Sequence, residues 1–354
     1  MSKAAELAAL IGSQTALSNR NIIINGAMNV AQRSTSVASL SSTATYSTCD
    51  RWEVQYGSSG TFTESQSTTA PSGFSSSLKL DCTTADASPN YLVIMQRIEG
   101  QNLQHLKKGT SAAVSTTLSF YVRSSKTGTY QVNLYETDNT RIIGATYTIS
   151  SADTWEFKSI TFAGDTTGTL DNDNNNSLQV EWWLASGSTY NSGAVPTAWE
   201  AVANGDRAAG LNVAIGASTS DDFHITGVQF EVGEQATPFE HRSFGDELAR
   251  CQRYTCRWVA NAQFANFLVG RSYNTTQGTA VMTTPVSMRA LPTLTTTSVS
   301  GNFTYSHSAL SLASHEDNLF QRFTIASTGS FTANGAYAVE ADAADVFMQL
   351  DAEL

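Results

Sequence analysis

The residues best equipped for chemistry in this chain are dispersed. Its five histidines, His105, His224, His241, His307 and His315, include no pair at i+2 or i+4, the spacings that put two imidazoles on one strand or helix face. There is no phosphate loop, no dinucleotide fingerprint and no G-x-S-x-G elbow. Asp221-Asp222 and Glu231 with Glu234 place carboxylates together, and paired carboxylates can cleave glycosidic bonds. Neither pair lies in an apolar context that would separate the two pKa values, so both read as solvated surface acids. His315-Glu316-Asp317 reads as a polar turn. Asp171, Asp173 and Asn175 have the alternate oxygen spacing that begins a calcium loop. Asn176 in place of Gly at the sixth position and Trp182 in place of Glu at the twelfth exclude an EF-hand. An Asn-rich loop is the preferred reading over a looser calcium site. No catalytic residue, metal ligand or cofactor is therefore expected.

The aromatic residues are more informative. If Val180, Trp182 and Leu184 face a core, Trp183 must project from the opposite face beside Gln179 and Glu181. By the same alternation Tyr121 joins Ser119 and Arg123, and Tyr135 joins Gln131 and Asn133. A ring that stacks on a pyranose, flanked by groups that bond its hydroxyls, is what a carbohydrate-binding face requires. Trp183, Tyr121, Tyr135, Glu181 and Arg123 are the candidate sugar-binding residues. The competing reading is that these rings are covered by another domain or subunit.

These side chains need a scaffold, and the composition says which kind. The chain has 354 residues, 41% of them hydrophobic but only 14% charged, where an average soluble protein has roughly a quarter charged. Ser, Thr, Asn and Gln carry the polarity, which suits strand faces and turns. The net charge of −11 argues against nucleic-acid binding, which needs clustered Lys and Arg; Lys107-Lys108 reads as a solvated turn. Cys49, Cys82, Cys251 and Cys256 are too few and too widely spaced for a disulfide framework. They are expected to be reduced and mostly buried, as in a protein made in a cytoplasm. No secretory signal pattern opens the chain, and no run approaches ~18 apolar residues, so no membrane span is expected.

Along the chain, Ser2–Ile11 reads as a short helix capped by Ser2 and ended by Gly12. Its Leu7, Leu10 and Ile11 need burial, either on their own domain or as an attachment and oligomer contact. Residues 1–20 form this arm. From 21 to 242 the period is two. Trp52, Val54 and Tyr56; Leu78, Leu80 and Cys82; Leu118, Phe120 and Val122; Tyr130, Val132 and Leu134; Trp155 and Phe157; Leu178 to Leu184; and Val228, Phe230 and Val232 mark the inward faces. About ten short strands between turn-rich stretches suit a jelly-roll β-sandwich. Residues 243–256 hold a linking helix, with Asp246 and Glu247 in its first turn and Arg250 and Arg253 in its last. Residues 257–354 then form a second, smaller β-sandwich. The fold class is all-β.

One set of segments is specific enough to resemble a family. It comprises Ile225-Thr-Gly-Val-Gln-Phe-Glu-Val-Gly233, Ala236-Thr-Pro-Phe-Glu-His-Arg242 and Gly245-Asp-Glu-Leu-Ala-Arg-Cys-Gln-Arg-Tyr254. Asn21-Ile-Ile-Ile-Asn-Gly-Ala-Met-Asn-Val-Ala-Gln-Arg33, Asp50-Arg-Trp52 and Pro285-Val-Ser-Met-Arg-Ala-Leu-Pro292 agree with it. Together they resemble tail-fibre-like and related virion proteins of double-stranded DNA bacteriophages and prophages. The resemblance implies a jelly roll akin to carbohydrate-binding modules, in a subunit assembled in the host cytoplasm into the virion. It supplies no catalytic residue, and it suggests a homotrimer. The expected function is a non-enzymatic tail fibre or receptor-binding subunit contacting host surface glycans and other virion proteins. A capsid-decorating or head-fibre protein is the alternative, and a glycan-degrading tailspike enzyme stands behind both. The block around residues 225–254 reads as scaffold rather than binding site.

Overall fold

The computed structural model describes residues 19–42, 44–262, 265–297, 307–312, 319–327, 336–340 and 344–354. Leu7, Leu10, Ile11, the expected first helix and the His315-Glu316-Asp317 turn lie outside these described residues. The chain forms two compact units, Met1–Phe244 with Leu354, and Gly245–Glu353. Among the described residues no helix is long and apolar enough to cross a membrane.

The first unit is built from β1 (Ser36–Leu40), β2 (Ala44–Thr45), β3 (Glu53–Gly57), β4 (Thr61–Ser67), β5 (Ser77–Thr84), β6 (Tyr91–Glu99) and β7 (Thr116–Ser124). It continues with β8 (Gly128–Glu136), β9 (Arg141–Ile149), β10 (Glu156–Phe162), β11 (Asn176–Ser186), β12 (Glu200–Ala201) and β13 (Asp222–Val232). One sheet has the order β1-β4-β5-β13-β7-β10, here the front sheet, and the back sheet has the order β12-β9-β8-β11-β6-β3-β2. Every pairing is antiparallel. The late strands β11 and β13 lie between early ones, the crossing connectivity of a jelly roll. Leu80, Phe120 and Phe230 from the front meet Val54, Val132 and Trp182 from the back in one continuous core. Trp182 packs on Trp52 and Phe120 with ring centroids 5.6 Å from each.

β13 and β10 each show a feature that alternation in the sequence does not reveal. In β13 the register shifts between Thr226 and Gln229, where Gly227 adopts φ +60°. That bulge lets Phe223 and Ile225 before it, and Val228 and Phe230 after it, all face the core. In β10 the expected inward set is reversed: Phe162 is buried, whereas Phe157 is 50% exposed. An edge strand has one sheet neighbour and need not hide its aromatic side chain, so alternation alone misplaced Phe157.

The segments 21–33, 50–52 and 225–242 meet in one hydrogen-bonded clasp. Buried Asn21 donates from Nδ2 to the Val228 carbonyl, and its Oδ1 accepts from the Ile23 and Phe230 amides. Asn25 Nδ2 donates to the carbonyls of Val30 and Asp50 while its Oδ1 accepts from the Val30 amide. Trp52 Nε1 donates to the Asn25 carbonyl at 3.0 Å. Arg242 reaches the carbonyls of Asn21 and Ile23, and Glu240 accepts from the Asn21 amide. These residues are conspicuous in sequence because buried backbone groups need fixed partners.

In the second unit, α2 (Phe244–Gln252) follows the sandwich; α1 (Ser188–Asn191) belongs to the first unit. β14 (Thr255–Val259), β21 (Phe347–Asp351) and β17 (Thr293–Thr296) make a three-stranded sheet. β18 (His307–Leu312), β19 (Phe320–Ser327), β16 (Gln277–Thr283), β15 (Asn266–Ser272) and β20 (Ala336–Glu340) make a five-stranded one. Leu268, Ala280, Phe323, Met348 and Leu350 share a core between the two sheets. All four cysteines are buried, and none is in a disulfide.

Candidate carbohydrate-binding site

The five candidate residues do not form one site. Trp183, Glu181 and Tyr135 belong to the outer face of the back sheet, Tyr121 and Arg123 to that of the front sheet. Trp183 does project away from Trp182, but it is only 2% exposed. The segment from α1 to residue 211 crosses this face and packs Tyr190, Ala208 and Leu211 against it. Arg207 from this strap pairs with the buried Glu181 carboxylate, and its guanidinium carbon lies 5.2 Å from the ring centres of both Trp183 and Tyr135. Gln131 and Asn133 donate to the Asp206 and Arg207 carbonyls, and the Gly210 amide donates back to Gln131. The polar and aromatic groups expected to meet a sugar are satisfied by the chain itself. Alternation identified the face; the strap has no period and gave no such signal.

The front face is different. Tyr121 on β7 stands directly opposite Phe157 on β10, ring centroids 5.1 Å apart. Phe74, from the turn before β5, packs 5.5 Å from Tyr121, 5.0 Å from Phe239 and 5.3 Å from His241. These five rings wall an open groove of about 540 Å³, with Ser72, Ser119 and Thr237 among its polar lining. Among the described residues no carboxylate, lysine or arginine lines it. The β13 bulge makes this packing fit: a Cβ on Gly227 would lie 2.7 Å from Phe74 Cζ and 3.0 Å from Tyr121 Cδ2. Glycine is required there twice over, by its positive φ and by the rings. Alternation does not reveal Phe74, Phe239 and His241, because Phe74 sits in a turn and Phe239 and His241 follow the end of β13, all outside the strands.

Arg123 lies beyond the groove and is committed to Asp153 at 2.8 Å and Asp222 at 3.5 Å. Beside it Ser77, His224 and Asp222 fall in line: Ser77 Oγ is 3.1 Å from His224 Nδ1, and His224 Nε2 is 3.8 Å from Asp222. Ser77 donates its own proton to the Thr69 carbonyl at 2.7 Å, and both Ser77 and His224 are buried. The hydroxyl is a structural tie with no path for a substrate, unlike an activated nucleophile. Of the acids expected to be solvated, Glu234 is exposed, but Asp221 and Glu231 are buried and tied in. Asp221 accepts from the Gly216 and Ser218 amides and pairs with Lys126. Buried Glu231 accepts from Gln229 and from the amide and hydroxyl of Thr237. Among the described residues no group of three or more His, Cys, Asp or Glu is arranged to hold a metal ion.

No family model and no curated protein matches this chain. Solved structures similar to it include the enzymatically active domain of bacteriophage CBA120 tailspike protein 4, at 10% identity and TM-score 0.32. That match covers 60% of this chain and 22% of the tailspike chain. A putative sugar-binding protein from Bacteroides thetaiotaomicron matches at 13% identity and TM-score 0.33, over 60% of this chain and all of that one. The module TmCBM61, solved with β-1,4-galactotriose, matches at 10% identity and TM-score 0.29, over 61% of this chain and all of its own. At this level of identity and superposition neither activity nor site transfers from them.

Proposed function

We propose that this chain is a non-enzymatic virion subunit of a double-stranded DNA phage, placed in a tail fibre, that holds host surface glycan in the front-sheet groove. The observation that carries the binding role is the row of rings with Phe157 half open to solvent. An aromatic face stacks on the C–H side of a pyranose, and nearby hydroxyls exchange hydrogen bonds with the sugar. The charge-free lining favours a neutral hexose over an acidic sugar, whose carboxylate would find no cation in the groove. The phage assignment rests on the resemblance of residues 21–33, 50–52 and 225–254, and the trimer on the same resemblance. One groove gives a weak contact, so a trimer would gain by multivalency. The non-enzymatic reading is supported by Asp221, Asp222, Glu231 and Ser77, each held by partners. Purified chain incubated with host surface polysaccharide should be retained by it and release no reducing ends. Release of ends assigns a tailspike activity instead. Immunogold labelling of the capsid rather than the tail would move the subunit to the alternative position on the particle.

A further inference from the structure

A second cluster lies at the end of β8, away from the groove, and its chemistry is of another kind. Lys108 and Glu136 each bury a charged atom, Nζ and Oε2, that has no hydrogen-bond partner. Burying a charged atom without a hydrogen-bond partner is costly. The Lys108 ammonium sits 3.4 Å from the centre of the Trp199 ring, against a wall of Leu106, Val114, Leu134, Leu178 and Phe230. Glu136 is asymmetric. Its Oε1 accepts from the Asn139 amide at 2.8 Å and from Asn139 Nδ2 at 3.1 Å, while Oε2 is bare. A Cβ on Gly168 would lie 2.5 Å from that Oε2 and 2.8 Å from Asp165 Oδ2, so the two carboxylates share one small space. Asp165 is itself held ionised by Arg141, whose Nε lies 2.7 Å from Oδ2.

We propose that Lys108 and Glu136 condense to an intramolecular isopeptide bond. Nζ, as the free amine, attacks Cδ of the neutral Glu136 carboxyl, whose proton sits on Oε2. Negative charge then develops on Oε1, where two N–H donors already converge, the arrangement that stabilises an oxyanion. A proton leaves Nζ for Oε2 by way of the Asp165 carboxylate, Oε2 departs as water, and the amide remains. One C–N bond forms and one C–O bond breaks; nothing is oxidised or reduced, because an ammonium and a carboxylate contain the atoms of an amide and one water. Among the described residues no carboxylate oxygen lies within 4.0 Å of Lys108 Nζ, so its stem must swing toward Cδ before reaction. Burial favours the reactive forms of both partners. It lowers the Lys108 ammonium to about 8 and raises the Glu136 carboxyl above its ordinary value. The product replaces two buried charges with a neutral amide, and ties the turn after residue 106 to the end of β8 against unfolding.

The mass of the full chain in denaturant tests this directly. Wild type should be lighter than its sequence by one water, and a tryptic digest should contain a branched peptide joining Lys108 to Glu136. Lys108→Arg keeps the cation over Trp199 but should have the full sequence mass. Glu136→Gln should lose ammonia and converge on the wild-type cross-linked mass. Wild type at full sequence mass, both fresh and after prolonged incubation at mildly alkaline pH, overturns the proposal. So does a mass deficit that persists in Lys108→Arg.

Discussion

Glu64 lies on β4 with its side chain in the interior of the sandwich, completely buried. Burial pushes its carboxyl from 4.5 up to about 7, even though Thr48 and Tyr56 bond it and Arg33 lies near. The folded state therefore holds this proton more tightly than the unfolded chain does. Below the unfolded value both states are protonated and the group is neutral in the balance. As pH rises from about 4.5 to about 7 the unfolded chain ionises first and stability falls. Above the folded value the full penalty applies, about 3 kcal/mol from a shift of this size. Glu64→Gln keeps the shape and an acceptor oxygen for Thr48, and removes the titration. In urea unfolding followed at mildly acidic and mildly alkaline pH, wild type should lose stability with rising pH relative to the variant. The loss between the two pH values should approach about 3 kcal/mol in wild type and vanish in the variant, while the altered bond to Tyr56, about 1 kcal/mol, shifts the variant's whole curve by a constant. Parallel stability–pH curves for the two proteins would refute the reasoning, because a carboxylate with an ordinary pKa would give that result.

Trp183→Ala should destabilise the first unit by about 3–5 kcal/mol, comparable to Trp182→Ala, because both rings are buried; equal melting temperatures for Trp183→Ala and wild type would place the strap elsewhere. Asn25→Ala should cost about 2–4 kcal/mol in denaturant titration, since it strips buried backbone groups of Val30 and Asp50 of a partner and puts alanine at φ +58°. Gly227→Ala should weaken glycan retention as well as stability, because the new methyl group displaces Phe74 and Tyr121; unchanged retention in a folded variant would separate the bulge from the groove.

The all-β fold was legible because a face buried on one side writes a period of two into sequence, and Trp52, Leu80, Phe120, Val132 and Trp182 all sit where that period put them. Its failures have local causes. Phe157 broke the rule because β10 is an edge strand, and β13 needed a bulge that one glycine among many does not announce. The groove is half legible: alternation puts Tyr121 on that face, but its neighbours Phe74, Phe239 and His241 come from outside the strands and are brought together only by the fold. Trp183 was assigned to the correct face but the wrong environment, since nothing periodic marks a strap that folds back across a sheet. Lys108 looked like a solvated turn residue, and only tertiary packing sets its ammonium on Trp199.

Calorimetric titration of neutral host-surface oligosaccharide into the wild-type chain, Phe157→Ala and Tyr121→Ala tests the groove most directly. Phe157 is half exposed, so its removal leaves the core intact. Losing one stacking ring of ~1 kcal/mol or more should weaken binding roughly five- to tenfold. Tyr121→Ala should weaken it at least as much, and Trp183→Phe, on the covered face, should leave it unchanged. Equal affinity in wild type and both groove variants, or a loss confined to Trp183→Phe, would contradict the account.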